Sequence, residues 1–175
     1  MSKIEIHKNS ITNLTVDAIV NAANSSLAQG SGVCGAIFAA AGPAELAAEC
    51  AKYGHCHTGD AVITSACKMR PNVKYIIHAV GPRYFGGNHG EPEKLSSCYF
   101  KSLELAKANN CHSIAFPLIS AGKFHYPLDR AWDIALSTCT HFLEENSDYD
   151  ILISIVTSNM EVYTKGLEIR FKFYD

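Results

Sequence analysis

The sequence predicts an α/β fold in which helices cover both faces of a largely parallel sheet, and two observations carry that prediction. Short β-branched runs recur between longer helical patterns along the whole chain, the alternation expected when strands and helices build one layered sheet. Runs such as Ala18-Ile19-Val20 and Ile151-Leu152-Ile153-Ser154-Ile155-Val156 are apolar almost without a break. Central strands buried on both faces read this way.

In chain order, Ile4–His7 alternates isoleucine with polar residues and predicts the first strand, and Ala18–Asn21 predicts the second. The alanine-rich stretches Gly35–Ala41 and Ala44–Lys52 then predict two helices. Ala61–Thr64 and Tyr75–Ala79 are β-branched or aromatic and predict strands, and Glu93–Ala108 predicts a longer helix. A strand over Ser113–Pro117, a helix over Leu128–Glu145, a strand over Ile151–Val156 and a helix over Met160–Lys165 follow. Ile169–Phe173 is rich enough in isoleucine and phenylalanine to predict a last strand. Tyr84–Glu91, with three glycines, Asn88 and His89 after Gly81-Pro82, predicts a flexible excursion that rims a site or turns the chain.

The 175 residues fit one domain over 1–175, long enough to bury a core without disulfides or metals. The 47% hydrophobic and 18% charged content with a net charge of -2 describes a globular chain and offers no basic stripe for nucleic acid. No apolar stretch approaches the roughly 20 residues that span a bilayer, so a membrane is not an expected partner. The first ten residues lack the pattern of a secretory signal, and a cytoplasmic monomer is the expectation. Seven cysteines, scattered from Cys34 to Cys139, are not spaced as a disulfide framework and read as reduced, half-buried small hydrophobes.

Two stretches carry chemistry. In the first, a buried strand runs through Asn21 and Ala22 to polar Asn24, then into Gly30-Ser31-Gly32-Val33-Cys34-Gly35 and a small-residue helix. Such a loop lets backbone N–H groups approach a phosphate while the helix start adds a favourable dipole. The glycines alone serve a tight strand-to-helix turn equally well. Neither standard nucleotide motif is present, because no Gly-Lys-Ser/Thr ending follows and no third glycine is correctly spaced. In the second, Phe116-Pro117-Leu118-Ile119-Ser120-Ala121-Gly122-Lys123-Phe124-His125-Tyr126-Pro127 leaves an apolar strand for a glycine-containing loop before the helix at Leu128. Two such loops on neighbouring strand ends form a clamp for a diphosphate, with Phe124 against a ribose or base. Phe124 and Tyr126 as core aromatics are the plain alternative.

Several of these motifs resemble, in order, macrodomains of the MacroD type. They are Val16–Asn24, Ala40-Ala41-Gly42-Pro43, Thr58–Thr64, Tyr75–Pro82 and Phe116–Pro127, which together cover nearly the whole chain. The resemblance implies a three-layer α/β/α sandwich with a mixed, largely parallel sheet, no cofactor, and ADP-ribose or an ADP-ribosylated protein as partner. It implies a hydrolase that removes mono-ADP-ribose from acidic side chains or deacetylates O-acetyl-ADP-ribose, with a non-catalytic ADP-ribose reader as the alternative.

Carried over by position, Asn24 resembles the catalytic asparagine at the distal ribose, Gly30, Ser31, Gly32 and Val33 the first phosphate loop, and Ser120, Ala121, Gly122, Lys123 and Phe124 the second, with Ala22 and Cys34 as further ligand-binding residues. Ser10 and Ile11 correspond to the adenine end. The sequence departs from the family where a catalytic aspartate is usual and Cys34 stands, where an adenine-binding carboxylate is usual and Ser10 stands, and where Lys123 and His125 replace an aliphatic residue and glycine. Cys34 reads as a packed helix-start residue or as a thiol nucleophile. Lys123 and His125 flank a phosphate loop or face solvent. Cys50, His55, Cys56 and His57 contain no paired zinc-ligand spacing, so no metal is expected. His78, mid-strand, reads as a satisfied core histidine.

Overall fold

The computed structural model describes residues 2–174, which form a six-stranded sheet in the order β1-β6-β5-β2-β4-β3. The strands are β1 (Lys3–Lys8), β2 (Val16–Ala22), β3 (Ala61–Ser65), β4 (Val73–Ala79), β5 (Ser113–Phe116) and β6 (Leu152–Thr157). The helices are α1 (Gly32–Ala41), α2 (Pro43–Ala51), α3 (Glu91–Ala108), α4 (Leu128–Glu145) and α5 (Met160–Phe173). Every pairing is parallel except β3 with β4, where Ala61 faces Ala79 and Ser65 faces Tyr75. The sheet is therefore mixed and largely parallel, the architecture the alternation of runs predicted.

Strand alternation sorts the side chains into two cores. Ala18, Val20, Ile77, Phe116, Ile153 and Ile155 turn to one face, where Tyr99 and Leu103 of α3, Trp132 and Phe142 of α4 and Ile169 of α5 cover them. Ile19, Ile76, Ala115 and Val156 turn to the other, against Ile37 and Phe38 of α1 and Leu46 of α2. Continuous apolar strands and helices on both faces are thus one fact seen twice. No single helix among the described residues is long and apolar enough to cross a membrane.

One expectation fails. Ile169–Phe173 is not a strand but the last turns of α5. The Asn159 side chain caps that helix by accepting from the Val162 N–H at 3.0 Å, and Glu168 pairs with Lys165 and Lys172 along its outer face. Ile169 alone turns into the core, while Phe171 and Phe173 stay exposed. An isoleucine among aromatics satisfies a strand propensity, but a helix needs only the one anchor at Ile169 on its buried side.

The Tyr84–Glu91 excursion is tied down by one carboxylate. Glu91, at the start of α3, accepts from the backbone N–H groups of Phe85 and Gly87 with one oxygen and of His89 with the other. Desolvation pushes its carboxyl pKa up, but the backbone donors outweigh it and bring the group down to about 2.

Candidate functional site

The central strands β2, β4 and β5 are neighbours, so their carboxyl ends open on one edge, where ligands of open α/β sheets collect. A cleft of about 460 Å³ lies there. One wall runs from Ala22 to Asn24 and then along Gly30–Cys34, and the other is Pro117–Ser120 with Gly122, Lys123 and Phe124, while Gly81, just after β4, closes the floor.

The first wall is folded by its own side chains. Asn24 Oδ1 accepts from Ser26 Oγ at 2.8 Å and from the Ala28 N–H at 3.0 Å, and its Nδ2 donates to the Ala28 carbonyl at 3.0 Å. Cys34, buried in the first turn of α1, accepts from the Gly30 N–H at 3.3 Å and donates to the Ala28 carbonyl at 3.7 Å. Both bonded partners of the thiol are backbone, which makes Cys34 a loop-folding residue rather than a nucleophile paired with a base. Two glycines complete the turn. Gly32 opens α1 at φ 60 with open space where a Cβ would point, and a Cβ on Gly35 would stand 2.8 Å from the Gly30 carbonyl.

Ser31 sits at the N-cap of α1 in extended conformation but makes no capping bond to the helix. Its hydroxyl is instead the acceptor for Lys123 Nζ, which reaches across from the second loop. The first residues of α1, Gly32 to Cys34, thus line the cleft at a helix start without a side-chain cap, where the helix dipole favours an anion.

The second wall is braced from behind. The buried Tyr99 hydroxyl on α3 accepts from the Ile119 N–H at 2.9 Å and donates to the Pro117 carbonyl at 3.4 Å. Ser120 takes a left-handed conformation, φ 67, and its carbonyl accepts from Tyr126 N–H at 3.0 Å. The Ser120 hydroxyl is buried without a partner and packs against Gly81, where a Cβ would collide with it and with Ile119. Phe124 lines the cleft with the Arg83 guanidinium 5.4 Å from its ring centre, whereas Tyr126 is a core aromatic packed edge-on to Tyr84.

Of the sequence-predicted ligand residues, Ala22, Asn24, Gly30, Ser31, Gly32, Val33, Cys34, Ser120, Gly122, Lys123 and Phe124 line this cleft. Ser10, Ile11 and Ala121 do not. Ser10 bonds Thr12 through its hydroxyl at 2.9 Å, Ile11 is buried in the core that also holds Ala23 and Cys34, and Ala121 is held by its N–H to Leu118. Sequence reasoning missed Ala23, Gly81, Pro117, Leu118 and Ile119 as cleft residues. Gly81 was findable, since a glycine two residues beyond the end of a buried strand marks a close approach. His125 is exposed in a left-handed turn and lies outside the cleft lining.

Elsewhere, Cys50 lies against the buried His78, Sγ to Nε2 3.7 Å, and burial raises its thiol pKa to about 11. His55 and His57 stack edge-on at the surface. No three His, Cys, Asp or Glu side chains among the described residues gather as metal ligands. His78 takes a hydrogen bond from Asn21 Nδ2 at 3.1 Å and bonds Thr64 Oγ1 at 3.0 Å, a satisfied core histidine whose pKa burial lowers to about 4.

A second cleft of about 560 Å³ lies between the Tyr84–Glu91 loop, α4 and α5, but two carboxylates, Asp129 and Asp133, sit in its wall against one cation, Arg130. The first cleft has no acidic lining residue and one cation, Lys123. The first is therefore the better suited of the two to an anion, since no carboxylate lines it. A largely parallel sheet with a helix start on one side of such a cleft and a glycine-containing loop on the other defines the class of α/β domains suited to phosphate-bearing ligands.

Comparison with known proteins makes the class specific. The Macro domain family model matches residues 20–135, and the chain belongs to that family. It is 44% identical over 175 residues to the ADP-ribose glycohydrolase MACROD2 of Xenopus laevis, spanning 98% of this chain and 39% of that longer protein. Among solved structures, the Oceanobacillus iheyensis macrodomain with ADP superposes with a TM-score of 0.88 at 38% identity, covering 97% of this chain and 90% of the other. The Trypanosoma brucei macrodomain in complex with ADP-ribose gives a TM-score of 0.86 at 35% identity, covering 94% and 68%.

Proposed function

We propose that this protein binds ADP-ribose in the cleft between the Gly30–Cys34 and Ser120–Phe124 loops and hydrolyses the bond that joins its distal ribose to an acidic side chain or to an acetyl group. One observation carries the reading: the uncapped start of α1 lies across from a second glycine-containing loop in a cleft lined by no carboxylate. The diphosphate lies between the two loops, the distal ribose reaches Asn24 and Phe124, and the adenosine end runs toward Ser10 and Ile11. The macrodomain relatives seen with ADP and with ADP-ribose support that ligand, and the MACROD2 glycohydrolase supports the reaction.

In the release of an acidic side chain, a water oxygen bonds to the anomeric carbon, the bond from that carbon to the carboxylate oxygen breaks, and the water proton leaves with the released acid. In the removal of an acetyl group, the water oxygen bonds to the acyl carbon instead, the ester bond to the ribose oxygen breaks, and that oxygen takes the proton as acetic acid leaves. The loops contribute position, holding the ribose and diphosphate so that the developing positive charge on the ring lies beside the negative phosphates. Asn24 fixes the loop at the ribose end through its three hydrogen bonds.

A reader that binds without cleaving is the second reading, and Cys34 favours it, because no acid stands at the start of α1 and the thiol is engaged with the loop backbone. Incubation with an auto-modified ADP-ribosyltransferase separates the two. Release of free ADP-ribose above an Asn24→Ala control supports the hydrolase; binding with no release above that control leaves the reader.

A further inference from the structure

We infer that Lys123 is a specificity-determining residue of the cleft: a cation held on Ser31 that moves onto a phosphate oxygen when a diphosphate enters. The inference rests on the reading of this cleft as a diphosphate site and adds a side-chain charge to a site otherwise built from backbone.

Three observations converge on it. Lys123 Nζ donates to Ser31 Oγ across the cleft, joining two loops 92 positions apart in the chain. The lysine stem therefore already extends over the space between the walls, and the rotamer freedom lost on reaching a ligand is partly lost beforehand. The partner it holds is the N-cap residue of α1, whose hydroxyl serves the lysine instead of the helix, so the ammonium stands at the positive end of that helix. Two positive ends next to each other, with only a neutral hydroxyl as acceptor, make a place that an anion improves. Behind the same loop, the Ser120 hydroxyl is more than nine-tenths buried and unpartnered at the cleft wall, beside Gly81. With that hydroxyl buried, Lys123 is, among the described lining residues of this wall, the one that brings an exposed polar side chain to the cleft.

Magnitudes favour the exchange. The hydrogen bond from an ammonium to a hydroxyl has one charged partner, whereas the bond to a phosphate oxygen has two and is markedly stronger. With a net charge of -2 on the chain and no acidic group lining the cleft, Lys123 has no carboxylate there to hold it back. The ligand class that profits is the diphosphate ester, since adenosine offers Lys123 nothing and a monophosphate reaches only one of the two loops.

Calorimetry with ADP-ribose, ADP, inorganic pyrophosphate and adenosine on the whole protein tests this. Lys123→Met, which keeps the stem and removes the charge, is expected to weaken ADP-ribose, ADP and pyrophosphate by roughly tenfold, with adenosine unaltered and a shallower dependence on salt. Lys123→Arg is expected to restore most of the loss, and Ser31→Ala, which frees the lysine, to tighten the diphosphates a few-fold. Equal ADP-ribose affinity of Lys123→Met and the wild type overturns the inference, and so does a Ser31→Ala loss as large as that of Lys123→Met, since the pair is then a structural tie. If the wild type takes pyrophosphate in a Lys123-dependent way but not ADP-ribose, the ligand reading fails and the role of Lys123 stands.

Discussion

The Cys34 thiol accepts the Gly30 N–H at 3.3 Å, so the residue at the start of α1 folds the Gly30–Cys34 loop from inside. A thiol accepts weakly, but this one also donates to the Ala28 carbonyl and is buried. It thereby joins the two ends of the turn that runs from Ala28 to the helix. Cys34→Ser keeps both bonds and is expected to leave ADP-ribose affinity in place. Cys34→Ala leaves the Gly30 N–H without its acceptor and is expected to weaken binding by roughly two- to fivefold, as the loss of one weak hydrogen bond implies. Cys34→Asp restores an acid at the helix start, and if general acid–base help is what the site lacks, release of ADP-ribose rises by roughly 10²-fold. Titration calorimetry and the release assay read these outcomes, and a large loss on Cys34→Ala together with alkylation that ADP-ribose blocks makes the thiol a reacting group instead.

Asn24 makes three side-chain hydrogen bonds, all within five residues. Asn24→Ala removes the brace at the ribose end while the amides of α1 and the second loop remain. Turnover is expected to fall by roughly 10²-fold, the cost of misplacing a reacting group by about an ångström, with ADP affinity nearly unchanged because ADP lacks the distal ribose. Equal losses in ADP binding and in turnover show instead that Asn24 holds the whole loop.

Two glycines test the geometry of the first wall. Gly32→Glu forces a side chain onto a residue at φ 60 and projects a negative charge into open space at the cleft, so ADP-ribose binding is expected to be lost. Gly35→Ala adds one methyl group that meets the Gly30 carbonyl at 2.8 Å. Overpacking of this kind costs roughly 1–3 kcal/mol, and here the loop yields before the helix does. ADP-ribose affinity is expected to drop roughly tenfold or more with the circular dichroism spectrum retained. Wild-type affinity in Gly35→Ala shows that the Gly30 carbonyl moves without consequence.

Much of the fold and of the site was legible because the signals are local. A buried strand announces itself in Ala18-Ile19-Val20, and glycines with small residues after Asn24 and after Ile119 mark the loops that both line the cleft. What stayed hidden is long-range. The sheet order, with β6 between β1 and β5, has no local mark, and neither does the pairing of Lys123 with Ser31 or the Tyr99 brace behind Ile119. Ile169–Phe173 was misread because composition speaks for a strand while the deciding facts, the Asn159 cap and the contact of Gly166 with Trp132, lie outside the segment. Cys34 was legible as a departure but not as a hydrogen-bond partner of Gly30.

His78 supplies a prediction about pH. It is buried between β2 and β3, with Asn21 donating to Nδ1, so the ring proton sits on Nε2 and goes to Thr64. Burial disfavours the charged ring and lowers its pKa from 6.5 to about 4. The unfolded chain therefore binds a proton that the folded protein refuses throughout the window between those values. Above pH 6.5 neither state is protonated and the residue contributes no pH dependence; as pH falls through 6.5 toward 4, stability falls, and below 4 the loss is complete at about 3 kcal/mol. Glu91 acts in a lower window: its pKa is depressed from 4.5 to about 2, so the stability it contributes is present above 4.5 and is lost as the pH drops toward 2. Urea unfolding at pH 7.5, 6.0, 5.0 and 4.5 covers the upper window, with Glu91 and the other carboxylates of lowered pKa, Glu5, Asp17 and Glu49, beginning to add their own loss toward pH 4.5, so the comparison with a His78 variant isolates its share. The wild-type midpoint is expected to be flat above pH 6.5 and to fall below it, and His78→Gln, which keeps a neutral hydrogen-bonding side chain, is expected to lose that fall in proportion. A wild-type midpoint that stays constant from pH 6.5 to 4.5 contradicts a neutral, buried His78.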